Sequence, residues 1–473
     1  MYRVWFYAKQ CAYLEMIPIV IICYNNHEYV EHMITSIEKI NKSYVNHIRI
    51  LDNNSDRKDT VSFLKNVNVT VYFNYANTGP WISPHNNSHI YNALPDLFVL
   101  TDPDLDFHPN MPSTFLEDLE EIHNQFPWTS KIGLALDISE PDKLFDGIYT
   151  EDRTIVTHES QFWRTRIDHP MYELYRAPLD TTFCLVNKKV VDHSNNHIRV
   201  AGNFTCRHLP WYIENPVLST YHNYILAKTN SSISTTSRLI ATSIEKKYLC
   251  LKKNDEVVLI ENKEDQNLEF WRDKFTTWEP ITFQVFDKFL DPSKTCIDIG
   301  GWIGTTCMYA SRKSKDVFVV EADPKSYVDL VKNCEINGCT NVIPIHKAVF
   351  HESNHQISIV GNNESTSQIR FDGSGHSVET ISVGALILEN KIDPFNISLI
   401  KVDIEGAEEY ILDDLFMLHK TYNIPLYIGF HYSFFTNKDL DRFSFLTEQQ
   451  KELIRNVPFP SILFDVGKHH HCI

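Results

Sequence analysis

Two stretches of the chain alternate short β-branched apolar runs with segments of helical spacing. The first opens with Ile17–Cys23 (IPIVIIC), an uninterrupted apolar run that predicts a strand buried on both faces. Helical spacing follows over Tyr29–Ile40. Strands are then expected over Asn46–Leu51, Asn68–Asn74 and Leu97–Thr101. Pro112–Phe126 carries the early proline, serine and acids of a helix N-terminus. This is an α/β pattern with a mostly parallel sheet. A second α/β pattern begins past residue 262. Thr295–Ile299 reads as a strand, GGWIG as a turn and Thr305–Arg312 as a helix. Asp316–Val320, Val342–His346, Ser398–Val402 and Pro425–Phe430 read as further strands, and Tyr327–Asn337 as a helix.

Between the two stretches the periodicity weakens. TNSSISTTS is polar, and KKNDEVVLIENKEDQN is charge-rich around one short apolar core. The chain therefore divides into residues 1–240, a linker at 241–261, and residues 262–473. A length of 473 residues fits two domains of about 200–250 residues each.

A net charge of −17 argues against a nucleic-acid partner, which needs a basic stripe, and against an anionic membrane surface. The ten cysteines form no CxxC pair, and neither Cys206 with His208 nor the tail His469–Cys472 has a second half-site at zinc spacing. No apolar run is long enough to span a bilayer, and the N-terminus lacks a signal-peptide pattern. A cytoplasmic protein without a transmembrane segment is expected. Its oligomeric state is not readable.

The acidic chain nevertheless places three more carboxylates, Asp102, Asp104 and Asp106, just after an apolar strand. Ligands of open α/β sheets bind beyond the carboxyl ends of strands. Carboxylates there suit Mg²⁺ or Mn²⁺, and such an ion can bridge the two phosphates of a nucleotide sugar. The alternative is a solvated acidic turn. Together with the stretches PIVIICYNNHEYV, LDNNSD and YANTGP, the TDPDLDF segment resembles the start of GT-A glycosyltransferases of the family 2 type. The resemblance covers about residues 16–230. It implies a GT-A-like mixed sheet, with Tyr24 and Asp52 against the nucleotide and Asp102 and Asp104 holding metal and donor. Asp106 offers a second register. Asp180 is the candidate base toward an acceptor hydroxyl. His208 is a candidate third metal ligand, His222 competes with it, and Trp211 is a candidate sugar platform.

In the second stretch, Asp298, Gly300 and Gly304 follow a strand at D-x-G-x-x-x-G spacing, and Glu321 closes the next strand. Glycines let backbone approach a cofactor, and the acid suits two ribose hydroxyls. The G-x-G-x-x-G spacing of NAD sites is absent. CIDIGGWIGTTCMYA, VEADPKSYVDLVKNCEIN, HKAVF and LIKVDIEGAEEYIL resemble FkbM-type methyltransferases in order and spacing, over about residues 262–435. That resemblance implies a class I Rossmann-like domain and O-methyl transfer from S-adenosylmethionine to a sugar or other small hydroxyl compound. Lys401, Asp403, Glu405 and His431 end two successive strands where the acceptor is expected. His431 is a candidate base, and Asp403 with Glu405 a candidate divalent-ion pair. The chain departs from the family at Gly429, where a glutamate is common. The two resemblances together point to a bifunctional enzyme: a sugar passes from a nucleotide sugar, with a uridine diphosphate sugar the commonest donor, to a glycan or glycolipid acceptor, and a hydroxyl is methylated. The alternative is a methyltransferase preceded by a non-catalytic sugar-binding module.

Overall fold

Every residue of the strand Ile19–Cys23 is buried, because its two faces meet different cores. Ile19, Ile21 and Cys23 join one cluster, while Val20 and Ile22 join another. This is why the run is apolar without alternation. The computed structural model describes residues 17–229, 235–361, 367–370, 373–465 and 471–472. The N-terminal stretch read for a leader, the middle of the polar run and most of the histidine tail lie outside the described residues. The chain separates into two units: Met1–Leu218 with Leu226–Ser243, and Ser219–Ile225 with Ile244–Ile473.

In the first unit, β1 (Ile19–Cys23), β2 (Ile48–Asp52), β3 (Thr70–Phe73) and β4 (Leu97–Thr101) pair in parallel, in the order β3-β2-β1-β4. Beyond β4 the sheet turns mixed. It continues through β5 (Leu105–Phe107), β6 (Lys131–Leu136), β7 (Arg166–Ile167), β8 (Leu174–Arg176), β9 (Cys184–Asn187) and β10 (His197–His208). The path is β4-β9-β6-β10-β8-β7, with β5 antiparallel on β10. The expected parallel order thus holds only up to β4. Strand β9 is antiparallel to both β4 and β6. The helices start earlier or later than their apolar spacing suggests: His27–Ile40 begins two residues early, and Phe115–Gln125 begins after Pro112.

The second unit begins differently from the expected linker. Residues 248–261 form an antiparallel hairpin, β11 (Tyr248–Lys253) with β12 (Glu256–Glu261). Its main sheet holds β13 (Thr295–Ile299), β14 (Asp316–Glu321) and β15 (Val342–His346). A smaller sheet follows from β16 (Ala348–Val349), β17 (Gln356–Val360), β18 (Gln368–Arg370) and β19 (His376–Ile381). The chain then returns to the main sheet with β20 (Ile397–Val402), β21 (Leu426–Gly429), β22 (Ser461–Phe464) and β23 (His471–Cys472), giving the order β15-β14-β13-β20-β21-β22-β23. The first five strands are parallel and β22 is antiparallel. This arrangement is consistent with a Rossmann-like fold. The helix Pro324–Ile336 starts three residues before its expected position. Pro324 supplies a preset φ at the first turn, and Asp323 caps it by accepting from the N–H groups of Lys325 and Ser326. Among the described residues, no helix is long and apolar enough to cross a membrane.

Candidate functional site

In the second unit, register brings the charged residues together. Asp298 on β13 lies beside Lys401 on β20 and Val319 on β14. Paired residues on neighbouring strands face the same side, so the two charges meet. Lys401 Nζ stands 3.2 Å from Asp298 Oδ1 and 3.8 Å from Asp403 Oδ2, and it donates to the Gly300 carbonyl at 2.9 Å. Asp298 is fully buried, and its second oxygen accepts from the Thr306 hydroxyl at 2.6 Å. Burial disfavours the ammonium of Lys401, but Asp298, Asp403 and Glu279 outweigh it and hold its pKa above the ordinary value. The lysine therefore ties the glycine turn after β13 to the end of β20.

The glycine turn is shaped by close approach. Gly300 has φ +89°, and a Cβ there would fall 1.9 Å from the Asp403 carbonyl oxygen. Glu321, at the end of β14, faces this turn. Its carboxylate accepts from the N–H groups of Trp302 and Asp323, both at 2.7 Å. Burial pushes its pKa up to about 7 against those two donors.

A cleft open to solvent runs along these strand ends. Its lining includes Gly300, Glu321, Lys401, Asp403, Glu405 and His431, so the cofactor-side and acceptor-side candidates share one cavity. Trp278 and Trp302 supply aromatic faces, and Glu279 adds a carboxylate. Burial, then Asp403, raises the pKa of Glu279.

The acceptor-side residues are set by the turn after β20. Glu405 (φ +51°) and Gly406 (φ +100°) are successive left-handed residues. A Cβ at Gly406 would lie 2.5 Å from that of Phe434, so glycine is needed there. Fully buried Glu408 holds the turn: its two oxygens accept from the N–H groups of Ile404 (3.0 Å) and Gly406 (2.9 Å). Glu408 also meets His431 Nδ1 at 2.9 Å. That leaves His431 Nε2 facing Asp403 Oδ1 at 3.6 Å and Glu405 Oε1 at 3.5 Å. Burial opposes charge on His431, but Glu408, Asp403 and Glu405 prevail and raise its pKa to about 9. Burial raises Glu405 to about 7. Ligand atoms of Asp403, Glu405 and His431 all lie within 4.8 Å of one another. Gly429 lies against the cluster, since a Cβ there would be 3.4 Å from Asp403 Oδ1 and 3.7 Å from the His431 ring.

Glu279 and Glu408 were not read from the sequence. Glu408 carries a faint signal, an acid inside the apolar GAEEYIL run. Glu279 carries none, because it sits in a left-handed conformation just before Pro280, fixed by tertiary packing.

In the first unit, Asp52 ends β2, while Tyr24 and Asp102 directly follow β1 and β4, and the three strands are adjacent and parallel. Asp52 is buried and accepts from the Ser55 hydroxyl (2.6 Å) and N–H (3.2 Å). Half-buried Asp102 accepts from the Thr181 hydroxyl; burial and then Asp104 raise its pKa to about 7. Asp104 Oδ2 is 3.4 Å from His208 Nε2. Asp104 Oδ1 and His208 Nδ1 are both buried without a hydrogen-bond partner. Burial opposes charge on His208, but Asp104 and Asp102 outweigh it and raise its pKa. Asp180, exposed, is close enough to raise Asp102 further.

Three other readings take different places. Asp106 pairs with His32 at 3.2 Å rather than with the other aspartates. Trp211 is only 3% exposed and packs edge-on against His208 and Tyr149, so no ring face is free for a sugar. His222 meets the Ser219 hydroxyl at 3.0 Å and belongs to the second unit.

Residues 298–453 match the family model of the methyltransferase FkbM domain. A methyltransferase activity is thereby supported. No curated protein matches the chain. Among solved structures, it is similar to precorrin-6y C5,15-methyltransferase from Geobacter metallireducens GS-15, at 15% identity and a TM-score of 0.21, covering 36% of this chain and 68% of that one. It is similar to M. jannaschii TYW2 in complex with AdoMet, at 18% identity and a TM-score of 0.16, covering 21% of this chain and 43% of that one. It is also similar to an RNA methyltransferase from Salinibacter ruber in complex with S-adenosyl-L-homocysteine, at 12% identity and a TM-score of 0.18, covering 32% and 76%. The chain spans less than half the length of the M. jannaschii protein.

Proposed function

We propose that the second unit is an S-adenosylmethionine-dependent O-methyltransferase acting on a sugar hydroxyl. One observation carries this reading: a single cleft contains the glycine turn, the ribose-suited Glu321 and the Asp403–Glu405–His431 cluster. The residues fit the cofactor. Glu321 is a buried carboxylate at the cleft, and Glu279, Asp403 and Glu405 make an acidic lining that favours a ligand bearing ammonium and sulfonium charges. Trp278 and Trp302 add ring faces that attract a cation. When bound, the cofactor supplies an electrophilic methyl group, which leaves its sulfur with the C–S electron pair returning to that sulfur. Glu321 would hold the ribose, and Lys401 would keep the turn and the acceptor cluster in register. The acceptor oxygen forms the new O–C bond and its proton passes to water. Because sugar hydroxyls ionise far above neutral pH, the cluster must ease that loss.

The test is calorimetric titration with S-adenosylhomocysteine. Binding needs the ionised form of Glu321, so affinity is expected to fall about tenfold from pH 8 to pH 6, through its pKa of about 7. Glu321→Gln is expected to bind more weakly and to flatten this dependence. Absence of binding by the wild-type chain at any pH would sink the reading.

We propose further that the first unit is a GT-A-like glycosyltransferase using a nucleotide sugar, a uridine diphosphate sugar being the first donor to test, so that the chain transfers and methylates sugar on a glycan or glycolipid. The buried unpartnered atoms of Asp104 and His208 favour this reading, because a cation would satisfy them. Asp102, Asp104 and His208 would hold Mn²⁺ or Mg²⁺, which offsets charge on the departing diphosphate. Tyr24 and Asp52, at the ends of β1 and β2, would contact the nucleoside, and Asp180 is the candidate base. Incubation with uridine, guanosine and thymidine diphosphate sugars is expected to release one nucleotide in a Mn²⁺-dependent manner. Asp104→Ala should lower that release at least about tenfold. No release from any donor, with S-adenosylhomocysteine still bound, would leave a methyltransferase with a non-catalytic module before it.

A further inference from the structure

We propose that Asp403, Glu405 and His431 bind one divalent cation, held in place by Glu408, and that this cation receives the acceptor oxygen. Its role rests on the methyl-transfer reading, but the site rests on its own geometry. Three ligands converge: two carboxylates and an imidazole, all within 4.8 Å of one another. The separations of 3.5 and 3.6 Å from His431 Nε2 are close to the spacing of about 3.0–3.5 Å between ligands that each sit about 2.1 Å from one metal ion.

The histidine is prepared for that task. Its ring is 7% exposed, and Nδ1 is engaged by the fully buried Glu408 at 2.9 Å. This is the outer-shell arrangement that fixes ring orientation in metal sites and turns the other nitrogen to the ion. Nε2 points at the two carboxylates. Glu408 also fixes the turn that carries Glu405, so one carboxylate orients two of the three ligands. Glu405 itself is held at φ +51°, a conformation that few non-glycine residues adopt and that is retained where a side chain must be aimed.

Three protein ligands leave coordination positions open toward the cleft, where oxygens of a vicinal diol or hydroxyl can enter. A cation there lowers the pKa of a coordinated hydroxyl, and the proton passes to water. Two carboxylates and one imidazole suit Mn²⁺ or Mg²⁺.

The experiment uses the full-length chain, stripped with a chelator and titrated with Mn²⁺, with free Mn²⁺ read by electron paramagnetic resonance. S-adenosylhomocysteine binding is measured in parallel. The wild type is expected to bind one more Mn²⁺ per chain than Glu405→Gln, which keeps the side chain's shape. His431→Gln, outside the strained turn, should lose the same single site, whereas Asp104→Asn should retain it. His431→Gln, at a residue given no part in holding the cofactor, should bind S-adenosylhomocysteine within about threefold of wild type, which shows that the unit stays folded. Equal Mn²⁺ stoichiometry in the wild type and both second-unit variants would overturn the proposal while leaving methyl transfer standing. Loss of one Mn²⁺ in the variants, with no S-adenosylhomocysteine binding by wild type, would keep the cation site and remove the methyl-transfer reading.

Discussion

Lys401→Met is expected to destabilise the second unit by about 3–5 kcal/mol, the cost of leaving a buried carboxylate without its partner. Lys401 and Asp298 are both buried and stand 3.2 Å apart. Methionine fills similar volume but gives Asp298 no positive charge and frees the Gly300 carbonyl. The midpoint of thermal unfolding should drop by about 10 °C for a unit of this size. The double variant with Asp298→Asn should recover much of the loss, because no charge is then stranded. Denaturant titration of the four proteins gives the coupling directly. A Lys401→Met variant within about 1 kcal/mol of wild type would show that the pair is not holding the turn.

Gly300→Ala should be nearly as severe and should weaken S-adenosylhomocysteine binding at least about a hundredfold. The added Cβ would fall 1.9 Å from the Asp403 carbonyl oxygen and 2.9 Å from its carbon, both backbone atoms that no rotamer change can clear. Either the glycine turn or the end of β20 must move, and both border the cleft. Gly304→Ala is the informative contrast. It shares the left-handed backbone at φ +93°, but its nearest contact would be an ordinary 3.6 Å. Only the conformational penalty remains, about 1–2 kcal/mol. Calorimetry on the two variants separates close approach from backbone strain. Similar affinities would remove the role given to Gly300.

The sequence was legible where burial is symmetric. Leu97–Thr101 and Thr295–Ile299 match the observed strands residue for residue, because apolar runs on central strands meet core on both faces; Val342–His346 also matches, although it forms the half-buried edge of its sheet. It was less legible where tertiary contact decides. The hairpin at 248–261 has two charged ends and a modest apolar centre, which reads as a linker until Val258, Leu259 and Ile260 are seen to be buried. The small sheet from β16 to β19 has short strands with exposed faces and no strong alternation. Among site residues, Asp298, Lys401, Asp403, Glu405 and His431 converge because they occupy strand ends in register, which periodicity reveals. Glu408 escaped because its role depends on two backbone amides and a histidine 23 positions away. Trp211 looked like a platform from its neighbours, yet its burial makes it core.

The turn Ile404–Glu408 has one more consequence. Its left-handed residues, its buried carboxylate and the histidine ring are fastened to one another before any ligand arrives. The conformational entropy of ordering these groups is therefore spent in folding, and little of it is left to oppose association. Whatever enters the cleft meets a rigid receptor, and discrimination between ligands rests on the shape and charge already present there.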